Sequence, residues 1–323
     1  MLFFLLASSA VQVSWLIATP SCVVRKVLLV IVKGPIYGPD YIHNQMLYHL
    51  SSQNLIYLLH IFNLFLENGF APLHWKEATI IPLLKPDKPP TNPVSYRPIS
   101  LTSCLCKLFE RIVKSRLNQH IEQSNLLPTF QAGFRSGRST TDHIVALESS
   151  IKQGYLTQQN SYAVFLDISK AYDSVWLVGL VTKLTQVGIA GNMLRWLNSF
   201  LIGRSSRIRI GHHLSEPHPL TSGVPQGAIL SPLLFNITLY DFPRPTQRSQ
   251  TLIYADDITI TCHAKTSATA EAILQPELDR IGRWGDKWGF RFSAQKSAVL
   301  VFKDLVDPHR HLLFTPTPTP SKL

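Results

Sequence analysis

Tyr254-Ala255-Asp256-Asp257 sets two carboxylates side by side between two apolar, β-branched runs, Thr251-Leu252-Ile253 and Ile258-Thr259-Ile260-Thr261. This pattern predicts a β-hairpin with adjacent acids at its tip. Neighbouring carboxylates repel, and a pair held where strands meet is a natural place for divalent cations. A third acid, Asp167, closes the apolar run Tyr162-Ala163-Val164-Phe165-Leu166, which reads as a buried strand. Together the three could hold two metal ions about 3.5 to 4 Å apart, the arrangement that serves phosphoryl transfer by activating a hydroxyl and stabilising the leaving oxygens. An all-oxygen ligand set suits Mg²⁺, with Mn²⁺ as a substitute. Two plainer readings stay open on these residues alone. The Asp-Asp pair could be an ordinary polar turn, and Asp167 could cap a following helix.

The elements that must position these acids alternate between helix and strand. Apolar periodicity from His43 to Glu67, closed by Asn68-Gly69, predicts a helix. Further helices are expected at 103–122, 140–152, 174–187, 192–201, 232–240 and 267–288. Strands are expected at 78–84, 161–167, 206–211, 251–255, 258–262 and 298–302, and 85–93 reads as a Pro-rich loop. The chain of 323 residues is 45% hydrophobic, ample for a core. Its net charge of +11 suits a phosphate-rich partner, although a merely basic protein would show the same balance. Four cysteines, Cys22, Cys104, Cys106 and Cys262, lack the paired spacing of a zinc site or a disulfide scaffold, and point to a reducing, intracellular setting.

Six segments recur in an order that resembles the reverse transcriptases of non-long-terminal-repeat retrotransposons, the jockey-like group in particular. They are SYRPISLTSCLCKLFERIV from Ser95, FQAGFRSGRSTTDHI from Phe130, FLDISKAYDSVW from Phe165, GVPQGAILSPLLFNI from Gly223, YADD from Tyr254 and GFRFSAQKSAVLVF from Gly289. The likeness runs over roughly 34–302, and six ordered motifs are more specific than any one. It implies an α+β right-hand polymerase, with fingers at 34–160 and, at 161–302, a palm whose antiparallel sheet is backed by helices. In that family a primer-grip hairpin and a thumb follow the palm; with the chain ending soon after Lys303 both are expected to be missing here, and the Thr-Pro run in 303–323 reads as an extended, disordered tail.

The same resemblance assigns roles. Asp167, Asp256 and Asp257 match the metal-binding carboxylates, and Ile168 would offer its backbone carbonyl to a metal. Tyr172 matches the aromatic that lies beneath the sugar and rejects a 2′-hydroxyl by bulk; a core aromatic is the plainer alternative. Gln226 and Gly227 match the element that meets the incoming nucleotide, although a Pro-containing turn before a helix near Ser231 has the same composition. Arg97 is the first choice for the triphosphate, with Arg111, Lys107, Arg135 and Arg138 behind it, any of which could instead face solvent or the template backbone. Lys296 matches a lysine proposed to give a proton to departing pyrophosphate, or is a surface lysine. The implied partners are an RNA template, a DNA primer and deoxynucleoside triphosphates. Two departures from the family pattern, Leu177-Val178 and Tyr240-Asp241, fall outside the metal ligands.

Residues 1–33 fit the resemblance least. Met1 to Val24 carries no charge, and Val27 to Val32 is again apolar. The stretch lacks the basic start of a signal peptide but is long enough to span a bilayer. A mis-joined reading frame explains it better than an anchor, so a membrane partner is not expected. Two rivals to the polymerase remain at this point: a remnant that binds nucleic acid without extending it, and a group II intron maturase, whose thumb and maturation domain would have to follow Lys303.

Overall fold

The computed structural model describes residues 37–303. The readings placed on 1–33 and on the tail after Lys303 lie outside them. The described residues form two compact units, each organised around its own sheet. One unit holds the described residues up to Ser124 together with Leu177–Leu234; the other holds Asn125–Trp176 and the described residues from Phe235 onward.

In the first unit, strand β1 (Glu77–Leu84) lies between β2 (Tyr96–Leu101), antiparallel to it, and β4 (Arg204–Ile210), parallel to it. The short strands β5 (His213–Leu214) and β6 (His218–Leu220) pair with β4. The helices are α1 (Asn44–Tyr48), α2 (Ser52–Asn68), α3 (Cys104–Gln123), α5 (Leu177–Gln186) and α6 (Gly191–Leu201). Their ends follow local chemistry. The Ser51 and Ser103 side chains accept from the amides three residues on, satisfying donors that a helix start leaves orphaned, and Gly69 ends α2 in the left-handed region at φ 62°. The helix expected from His43 to Glu67 is therefore two helices, because Ser51 offers a better start than continuation through Leu50. An aromatic cluster fills the centre: Phe109 meets Phe62 at 4.7 Å, Trp75 at 5.6 Å and Trp196 edge-on at 4.9 Å between ring centroids.

In the second unit a four-stranded antiparallel sheet runs in the order β7 (Ser249–Tyr254), β8 (Asp257–Ala264), β3 (Asn160–Asp167), β9 (Ala298–Phe302). Helices α4 (Thr140–Leu156) and α8 (Ser267–Trp288) pack against it. Thr266 caps the start of α8 and Gly289 ends it in the left-handed region. The apolar alternation of β8 buries Ile258, Ile260 and Cys262. Behind the sheet, Trp284 stacks on Phe290 at 5.3 Å and Phe290 meets Phe235 edge-on at 6.2 Å.

Candidate active site

The acids at Asp256 and Asp257 stand where hairpin logic puts them. Tyr254 pairs with Asp257 as the last rung between β7 and β8, leaving Ala255 and Asp256 as a two-residue turn. Ala255 has φ 58°, a left-handed value that a turn of this kind demands at its first position and that glycine usually supplies. Asp257 opens β8 and lies directly across from Asp167, the last residue of β3. One sheet thus brings the three carboxylates to one end of two neighbouring strands, although 89 residues separate Asp167 from Asp256.

Like charges facing each other across a sheet destabilise it, so this end of the sheet calls for positive charge. Lys296 supplies some: its ammonium lies 3.2 Å from both carboxylate oxygens of Asp167. It is held there by a turn in which the Ser293 amide donates to the Asp167 carbonyl at 2.9 Å and the Lys296 amide to the Ser293 carbonyl at 3.1 Å. One ammonium does not balance three carboxylates. The Asp257 carboxyl is pushed above its ordinary value by burial first, then by the charges of Asp256 and Asp167, with Lys296 pulling the other way. A cluster of hard oxygen donors with unbalanced negative charge fits a divalent cation. Among the described residues no three His, Cys, Asp or Glu side chains close around a single point to form a metal site by themselves.

Asp167 caps no helix: it ends β3 and passes into turns, the next helix starting only at Leu177. Ile168 is buried and bridges to Phe292, with the hydrogen bonds carried by its neighbours, Ser169 amide to Arg291 carbonyl and Ser293 amide to Asp167 carbonyl. In an antiparallel ladder that pattern turns the carbonyl of Ile168 itself away from Phe292. Tyr172 is half-buried and stacks on Phe235 at 5.1 Å with the rings 13° apart. Its phenol is held well above its ordinary pKa, by burial foremost and then by the Asp256 charge. Asp167, Ile168, Tyr172, Asp256, Asp257 and Lys296 all belong to the second unit.

Gln226, Gly227, Arg97 and Arg111 belong to the first. The segment Gly223–Leu230 is a loop laid against β2: the Gln226 carbonyl accepts from the Ser100 amide at 3.2 Å. Gly227, at φ 110°, comes so close that a Cβ there would stand 2.9 Å from the Ser100 carbonyl oxygen, and only glycine meets both demands. Arg97 is exposed on the same strand. Arg111 lies on α3, half-buried, with its Nε buried and lacking a hydrogen-bond partner, a donor suited to an anionic ligand. Arg135 and Arg138 donate instead to the carbonyls of Pro128 and Gln131 and of Thr129, bracing their own loop.

Sequence reading missed the residue that anchors Gly223–Leu230. Glu110 of α3 is fully buried and accepts from the Leu230 amide at 2.9 Å with one carboxylate oxygen, and from the Cys106 thiol at 3.5 Å with the other. Burial pushes its carboxyl upward, while the Leu230 hydrogen bond and the buried guanidinium of Arg204 oppose the shift. A glutamate amid apolar helix residues was the available signal, since buried carboxylates persist only when paired or hydrogen-bonded.

Comparison with known proteins follows the same lines. The family model described as reverse transcriptase (RNA-dependent DNA polymerase) matches residues 84–316. The probable RNA-directed DNA polymerase from transposon BS of Drosophila melanogaster is 34% identical over 267 residues, covering 80% of this chain and 29% of that protein. Its counterpart from the transposon X-element of the same fly is 31% identical over 306 residues, 93% of this chain and 34% of that protein. The RNA-directed DNA polymerase from the mobile element jockey, also of that fly, is 32% identical over 272 residues, 82% and 30%. The chain thus spans about a third of the length of these relatives. Among solved structures, an apo telomerase from Candida tropicalis truncated from its C-terminal domain superposes with a TM-score of 0.51 at 14% identity, over 79% of this chain and 57% of that one. This likeness shows the right-hand polymerase fold, and the transposon relatives match the resemblance read from the six motifs.

Proposed function

Given that this chain belongs to the reverse transcriptase (RNA-dependent DNA polymerase) family, we propose that it extends a DNA primer along an RNA template from deoxynucleoside triphosphates. The observation that carries this reading is the carboxylate cluster, Asp167 directly opposite Asp257 with Asp256 in the adjoining turn. The family generally uses divalent metal ions. We assign Asp167, Asp256, Asp257 and the Ile168 carbonyl to hold two Mg²⁺, replaceable by Mn²⁺. Bound there, such ions lower the pKa of an attacking hydroxyl and neutralise charge on the leaving phosphates.

The remaining residues act by shape and charge. Tyr172, fixed against Phe235, presents a flat surface whose bulk excludes a 2′-hydroxyl. Gln226 and Gly227 receive the nucleotide on a loop whose close backbone approach requires glycine. Arg97 and Arg111 offer guanidinium donors to phosphate oxygens, for which that fork geometry is suited. Lys296 stands at Asp167 as the local cation and serves as the proton donor to departing pyrophosphate. In this reading 34–160 are fingers and 161–302 palm. The transposon relatives recommend retrotransposon RNA as the template class.

Primer extension tests the proposal. Incorporation on an RNA template should depend on Mg²⁺ or Mn²⁺ and fall by about two orders of magnitude or more in Asp256→Asn, because a carboxylate assigned to hold the metal ions is lost. Template binding with no incorporation by the wild-type chain would overturn it.

A further inference from the structure

The turn that carries Asp256 is held by residues far away in sequence. The segment Phe130–Gly133 runs along the outer edge of β7: the Ile253 amide donates to the Phe130 carbonyl at 2.8 Å and the Ala132 amide to the Ile253 carbonyl at 2.9 Å. At its end Gly133 lies flat on the Tyr254–Ala255 peptide, where a Cβ would come within 2.2 Å of the Ala255 nitrogen. Gln131 is completely buried between them. Its Nε2 donates to the Ala255 carbonyl at 3.4 Å and to Asn236 Oδ1 at 3.1 Å, and its Oε1 accepts from the Gly133 amide at 2.9 Å. Asn236, also fully buried, on helix α7 (Ser231–Thr238), closes the circuit by donating from Nδ2 to the Gly133 carbonyl at 2.8 Å. The directions are self-consistent: turning the Gln131 amide over would face its oxygen with those of Asn236 and Ala255.

The circuit surrounds Ala255, whose left-handed backbone a residue with a Cβ adopts only at a cost and keeps only when its surroundings over-determine it. Resting on the assignment of Asp256 and Asp257 to the reaction, we propose that Gln131 is a positioning residue: with Gly133 and Asn236 it clamps Ala255 in the left-handed conformation and so fixes Asp256 for catalysis. Gln131 touches no substrate. It works through the turn, and a displacement of about 1 Å at a reacting group is enough to cost about a hundredfold in rate.

The test uses the full chain with Gln131→Met, which keeps the volume and removes all three side-chain hydrogen bonds, and Gln131→Met combined with Ala255→Gly, in which the turn residue adopts its conformation without strain. Readouts are kcat and the nucleotide KM in primer extension, amide hydrogen exchange across 253–258, and the melting temperature. Gln131→Met should lower kcat by about a hundredfold with KM within about threefold, and should speed exchange in the turn by about tenfold. Adding Ala255→Gly should restore a large part of both while leaving the melting temperature of the single variant little changed. Unaltered turn exchange in Gln131→Met, or loss of kcat that Ala255→Gly fails to relieve, overturns the proposal. Absence of extension by the wild-type chain would count against the polymerase reading alone, since turn exchange in the two variants still decides the role of Gln131. If Gln131→Met does not fold, Asn236→Asp is measured in its place; it keeps the acceptor for Gln131 and removes the donor to Gly133, and unchanged turn exchange there is equally contrary.

Discussion

The hairpin of Asp256 and Asp257 and the loop of Gln226 and Gly227 serve one proposed reaction, yet they are held by opposite means. The hairpin is secured many times over: by the β7–β8 rungs, by the register of β8 on β3, by the Phe130–Ala132 edge and by the Gln131 circuit. The loop is regular along none of its length and is held by individual contacts rather than by a ladder. The Glu110 carboxylate holds Leu230, the Ser231 hydroxyl donates to the Pro225 carbonyl at 2.7 Å, and the Ser100 amide donates to Gln226. Redundant backbone pairing suits groups whose separation must not change. A loop tied at few points suits a surface that must receive each nucleotide and release the product.

This contrast can be broken at its weakest tie. Glu110→Ala strands the buried Leu230 amide and empties a fully buried side-chain site, so it should cost about 3 to 5 kcal/mol in a urea unfolding series. Glu110→Gln keeps an acceptor for Leu230 and should cost markedly less; equal losses would show that the Leu230 bond is not the tie. Next in size, Gly133→Ala drives a methyl group into the Ala255 backbone and should cost about 3 kcal/mol, near the top of the range for overpacking. Gly227→Ala meets one carbonyl at 2.9 Å in an unfavourable φ and should cost about 2 kcal/mol, with its larger effect on the nucleotide KM. If Gly133→Ala raised KM and Gly227→Ala did not, the division of labour would be wrong.

A smaller effect comes from pH. Glu277, buried on α8, accepts from the Thr246 amide, the Ser249 hydroxyl and Arg280. Burial raises its carboxyl pKa, but these donors outweigh burial and hold it below its ordinary 4.5. A lowered folded pKa contributes stability that is fully present above the unfolded value, and that contribution is lost as pH falls through the folded one. Unfolding measured as pH falls below the ordinary carboxylate value should therefore show a loss of stability that Glu277→Gln abolishes; an unchanged acid limb in that variant would rule out this role for Glu277.

Much of this architecture was legible in the sequence because it is local. Apolar, β-branched runs on both sides of the acidic break pointed to the hairpin, and Asn68-Gly69 marked the end of a helix that Gly69 closes in the left-handed region. Strand β2 was missed: Pro98 at its centre argues against a strand, and it is tolerated because β2 is an edge of its sheet. The carboxylates were legible as a group because each ends or begins an apolar run. Gln131, Asn236 and Glu110 were not, because their partners lie 124, 103 and 120 residues away and nothing in the spacing announces the contact.

The proposed polymerase activity rests on the acids gathered at the ends of β3 and β8. Primer extension by the full chain on an RNA template annealed to a DNA primer, with Mg²⁺, beside Asp256→Asn and Asp257→Asn, tests it most directly. Templated incorporation by the wild type should disappear in both variants while template binding persists. Incorporation that survives both substitutions, or template binding without any extension by the wild type, would contradict it.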